Sequence, residues 1–88
     1  MPSMPYKIVI SSQVQKQLDD LPAPSWQRVK DAVDRLAAQP RPHGAIKMKG
    51  ASEYWRIRAG DHRIIYTIED DRLVVLIIKI GHRGDVYR

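Results

Sequence analysis

The apolar residues of this chain change their spacing halfway along, and that change constrains the fold more than any other feature of the sequence. In the first half they recur at helical intervals. Val14, Leu18 and Leu21 share one helical face, and Trp26, Val29, Val33 and Leu36 share another. In the second half the period is two. Tyr54-Trp-Arg-Ile-Arg58 alternates, His62–Ile68 forms a further strand, and Leu73–Ile80 is nearly all apolar and β-branched. The breaker run Gln39-Pro-Arg-Pro-His-Gly44 divides the two regimes.

Local signals refine this outline. Tyr6–Ile10 reads as a short opening strand, and Ser11 or Ser12 supplies an N-cap for the first helix. Pro22-Ala-Pro24 ends that helix, and Ser25 is positioned to cap the second. Gly60-Asp61 and Asp70-Asp71 mark tight turns between antiparallel strands. The expected fold is α+β, in the order β-α-α-β-β-β. A helical hairpin packs on one face of a small, mostly antiparallel sheet, as a single domain over residues 1–88. The sequence leaves the neighbour of the first strand open.

Composition removes several classes of function. There is no cysteine, so neither disulfides nor thiolate ligands reinforce the core. The longest apolar run, Leu73–Ile78, is far shorter than the about 20 residues needed to cross a bilayer. The opening residues lack the apolar stretch of a signal peptide, so no membrane association and a cytoplasmic location are expected. His43, His62 and His82 lie about twenty residues apart and match no metal-binding spacing. No phosphate loop or nucleophile elbow is present, and neither cofactor nor metal is expected.

Charge is the positive signal. The net charge is +5, and the excess is concentrated in residues 41–63. That segment carries Arg41, Lys47, Lys49, Arg56, Arg58 and Arg63 against only Glu53 and Asp61. Alternation places Trp55 and Ile57 on the apolar side of their strand, under the helices. Tyr54, Arg56 and Arg58 then project from the bare side. Arg63, across the Gly60-Asp61 turn, and Arg83, after the last strand, are expected to join them, exposed, in one concavity. Guanidinium groups gathered in this way suit a phosphate or an RNA backbone.

The runs Ile46-Lys-Met-Lys-Gly50, Tyr54-Trp-Arg-Ile-Arg-Ala-Gly-Asp-His-Arg-Ile-Ile-Tyr66 and Gly81-His-Arg-Gly-Asp-Val-Tyr87 resemble the RelE/ParE superfamily of bacterial toxins. The resemblance covers nearly the whole chain. Its RelE branch implies a ribosome-dependent mRNA endoribonuclease that needs no metal. The ribose 2′-hydroxyl attacks the adjacent phosphate, leaving a 2′,3′-cyclic phosphate and a 5′-hydroxyl, and translation stops.

The resemblance implies a catalytic set of Arg56, Arg58, Arg63, Arg83 and Tyr87. Arginines stand where the best-known members carry a lysine pair, and arginine is a poor general base. His82 is therefore the expected proton carrier. Lys47, Lys49 and Tyr54 are the expected RNA- and ribosome-contacting residues. The implied partners are a cognate antitoxin, the ribosome with its mRNA, and operator DNA reached through the antitoxin. Two alternatives stand beside this reading: a ParE-like, non-nucleolytic inhibitor of DNA gyrase, and a degenerate toxin acting only as co-repressor.

Overall fold

A computed structural model of the chain describes residues 5–48, 50 and 53–82. Strand β1 (Lys7–Ile10) leads into helices α1 (Ser12–Asp19) and α2 (Ala23–Arg35). A two-residue strand, β2 (Ile46–Lys47), precedes the meander β3 (Tyr54–Ala59), β4 (His62–Glu69) and β5 (Val74–His82). The sheet order is β1-β5-β4-β3-β2, with β1 parallel to β5 and every other pairing antiparallel. The expected α+β architecture is therefore present. Two features enlarge it: β2 adds a fifth strand, and β1 lies beside the last strand.

Ser11 caps α1, its side-chain oxygen accepting from the Val14 amide at 3.3 Å. The second helix begins earlier than Ser25 suggests. It starts at Ala23, with Pro22 as its N-cap and Pro24 in its first turn, where proline is accepted because no backbone donor is needed. It also ends at Arg35, ahead of the Gln39–Gly44 breaker.

The hairpin covers the side of the sheet bearing Ile57, Ala59, Ile64, Tyr66, Val75, Ile77 and Ile80. Val14, Leu18, Val29, Val33 and Leu36 meet them from the helices. Each fully buried aliphatic side chain contributes about 1.5–3 kcal/mol, which is how so small a chain holds together. Trp55 and Trp26 pack at the margin of this core.

One irregularity governs the far end of β5. Val75 pairs with Ile68 and Ile77 with Tyr66, but the register shifts at Ile65/Tyr66, so that Ile80 pairs with Ile64. The additional residue in β5 reverses which side its later side chains face. Val75, Ile77 and Ile80 are therefore all buried under the helices.

The loop between α2 and β2 is pinned at two points. Tyr66, fully buried, donates its hydroxyl to the Pro40 carbonyl at 2.7 Å. Arg41 grips Asp70 with both terminal nitrogens, at 3.2 and 2.9 Å, and lies 5.4 Å from the Trp55 ring. Tyr6 donates to the same carboxylate at 2.6 Å. The Arg41 guanidinium, and then the Tyr6 hydroxyl, hold Asp70 below the usual carboxylate pKa. Arg41 is thus neutralised and does not belong to the free cationic patch that the sequence implies.

Burial pushes the Tyr66 hydroxyl pKa up to about 12 from 10.0. A folded value above the ordinary one means that this contribution to stability is complete below pH 10. It is lost as the pH rises through about 12. Tyr66→Phe is expected to remove the phenolate step near pH 12 from an ultraviolet titration of the folded protein. It also breaks the bond to Pro40, lowering stability in a urea melt by about 1–2 kcal/mol.

Candidate nucleic-acid interface

The bare side of the sheet is set by register. Tyr54, Arg56 and Arg58 pair with Thr67, Ile65 and Arg63, so all six share the side away from the helices. Ile46 on β2 pairs with Arg56 and extends that side outward. Arg56, Arg58 and Arg63 line one cavity of about 110 Å³ together with Gly44 and Ile46. The expected convergence of guanidinium groups is therefore present for these three. Arg58 is exposed and Arg56 half-buried.

Arg63 differs from expectation. It is 9% exposed, because it sits on a central strand between Arg58 on β3 and Gly81 on β5. A side chain flanked on both sides keeps little surface, even on the bare side of a sheet. Both Arg56 and Arg63 are engaged by neighbouring groups. A held guanidinium presents its donors in a fixed direction, which favours recognition of a defined oxyanion over diffuse attraction.

His82 does not join the arginines. Strict alternation from Val75 and Ile77 would send residue 82 to the bare side, but the shift in β5 turns it to the helix-bearing side, where it stays exposed at the strand end. There it pairs with His62 and lines a different cavity, with Pro22, Ser25 and Arg28 of the helical layer. Lys47 pairs with Trp55 and shares that residue's side, away from Arg56. Tyr54 is 39% exposed on the arginine side, where a base could stack on it. Lys49, Arg83 and Tyr87 lie outside the described residues.

A different histidine stands near the arginines. His43, in the pinned loop, lines a cavity of about 270 Å³ with Arg35, Gly44, Ile57 and Arg58. Gly44 and Arg58 belong to both cavities, so the two adjoin. The sequence shows His43 only as part of a breaker run. The hydrogen bond from Tyr66 to Pro40, 26 residues apart, fixes the loop that carries it, and no local pattern announces that bond. Among the described residues, no three His, Asp or Glu side chains group to hold a metal ion.

A helical hairpin on one side of a small mixed sheet, with arginines gathered on the other, is the arrangement that the resemblance to the RelE/ParE superfamily implies. Comparison with known proteins agrees. The model of the ParE toxin of type II toxin–antitoxin systems, parDE, matches residues 8–87. The chain belongs to this family, within the RelE/ParE superfamily, and is a toxin of a type II toxin–antitoxin system with a RelE-like fold.

Among its relatives, the putative toxin RelE1 of Methanocaldococcus jannaschii is 30% identical over 88 residues, 97% of this chain and 98% of its own. Toxin RelG of Mycobacterium tuberculosis is 28% identical over 86 residues, 97% of this chain and 99% of its own. The archaeal RelE in the RelE–RelB complex from Pyrococcus horikoshii superposes with a TM-score of 0.80 at 33% identity. That match covers 94% of this chain and 100% of the other. No helix among the described residues is long and apolar enough to cross a membrane.

Proposed function

We propose that this toxin is a ribosome-dependent mRNA endoribonuclease that cleaves by attack of the ribose 2′-hydroxyl on the adjacent phosphate. The convergence of Arg56, Arg58 and Arg63 on one cavity carries the reading. As the 2′-oxygen closes on phosphorus, negative charge grows on the non-bridging oxygens. Two guanidinium forks, the held Arg63 and the exposed Arg58, meet that charge with bidentate hydrogen bonds. Arg56, one pleat further along, holds the neighbouring backbone phosphate.

The 2′-hydroxyl must lose a proton, and none of the three arginines accepts one near neutrality. In this reading His43, which lines a cavity together with Arg58, is the imidazole that takes it. Cleavage then yields a 2′,3′-cyclic phosphate and a 5′-hydroxyl, with in-line geometry imposed by the codon's placement in the ribosome. Tyr54 stacks on a base, while Lys47 and Lys49 contact ribosomal RNA. In this reading Arg83 serves the leaving group, and Tyr87 stacks on a base or helps the 2′-hydroxyl lose its proton. The toxin would act in the cytoplasm, restrained by a RelB-like antitoxin through which it reaches operator DNA.

The match to the ParE model favours a second reading, inhibition of DNA gyrase without cleavage of RNA. One experiment separates them. Purified toxin added to translating ribosomes is expected to produce mRNA breaks phased to the codon, mapped by primer extension, with no effect on supercoiling by gyrase. Blocked supercoiling with intact mRNA would establish the second reading. Inactivity in both assays would leave co-repression alone.

A further inference from the structure

The cavity where His82 lies has a chemistry of its own. It encloses about 290 Å³ at the β3–β4 turn, lined by Ser25, Arg28, Gly60, Asp61, His62 and His82 among others. We propose that His62 and His82 together bind a divalent transition-metal ion of the zinc class. The two residues are direct partners across β4 and β5, and their ring centroids stand 5.5 Å apart with planes at 85°. Two imidazoles sharing one tetrahedral metal ion at about 2.0–2.1 Å hold their centroids about 5 Å apart. The observed pair is therefore already at the separation a shared ion requires. The rings now meet edge to face, so metal binding requires a change of ring orientation that aims a nitrogen of each at the ion.

The pairing is a product of the register shift, which carries His82 to the side that holds His62. No third protein ligand of the usual kind gathers there among the described residues, so solvent completes the coordination. A two-imidazole site selects Zn²⁺, Ni²⁺ or Cu²⁺ over Mg²⁺ and Ca²⁺, which prefer oxygen ligands. Asp61 and Arg28, of opposite charge, both line this cavity. A bound ion would clip β4 to β5 at the end of the sheet, just before Arg83 in the chain. It lies on the side opposite the arginine cavity, and no step of RNA cleavage passes through it.

The test is titration of the full-length protein with ZnCl₂ and NiCl₂ by calorimetry, together with histidine ring resonances in the NMR spectrum. The expected result is one equivalent bound, with the His62 and His82 ring signals moving together and the His43 signals unmoved. His62→Gln and His82→Gln should each weaken binding by at least about tenfold, since losing even an outer partner of a ligating histidine costs that much. His43→Gln should leave the affinity unchanged. Absence of binding at millimolar metal would overturn the proposal. So would uptake that persists in the folded double variant, or wild-type ring shifts confined to His43.

Discussion

Arg63→Met is expected to reduce cleavage of mRNA on the ribosome by about 10²–10³-fold while the protein keeps its fold and its thermal transition. That is the usual cost of removing one preorganised donor from a developing oxyanion. Methionine is the informative substitution because Arg63 is only 9% exposed. Its stem packs between β3 and β5, and alanine would combine a packing loss with the loss of charge. Methionine fills nearly the same space and carries no donor. Arg63→Lys should fall between the two, since it keeps the charge and loses the fork. A methionine variant that cuts within threefold of wild type would remove Arg63 from the chemistry. Circular dichroism and a urea melt on the same preparation would keep that result separate from simple unfolding.

The same residue shows how far the sequence could be read. Alternation from Tyr54 to Arg58 placed the arginines on the bare side correctly, because side-chain period follows directly from backbone geometry. The burial of Arg63 depends on which strands flank β4, and that is settled by pairing between distant segments. The helical hairpin was equally legible. Val14 and Leu18 on one helix, and Val29 and Val33 on the other, are all buried where their spacing put them. β1 carries no local sign that it runs parallel to β5, since its partners Val74–Ile77 lie more than sixty residues away. β2 has only two residues, too few for any period to register.

Two electrostatic features escaped the sequence for a related reason. Arg41 and Asp70 are 29 residues apart, so the charge excess of the central segment overstated the free cations on its surface. The face of His82 turned on one additional residue in β5, and a shift of one position inverts everything beyond it. Bulges of this kind follow from the fit of a whole strand to its neighbours. The composition of the strand does not encode them.

Loss of His82 from the arginine side moves the question of the proton to His43, and a sharp outcome is expected there. His43→Ala should lower the cleavage rate on the ribosome by about 10²–10⁴-fold, the range for loss of a positioned general base. Free imidazole added to the alanine variant should restore part of the rate in proportion to its concentration. The space vacated opens on a cavity of about 270 Å³ that adjoins Arg58 and admits the small base. His43→Gln, which fills that space with a side chain unable to accept the proton, should stay inactive whatever the imidazole concentration. Rescue is the discriminating measurement, because a residue that only props the loop would not be replaced by a diffusing ring. Equal activity of wild type and His43→Ala would show that the 2′-hydroxyl loses its proton elsewhere, to a group on the ribosome or to the Tyr87 end of the chain.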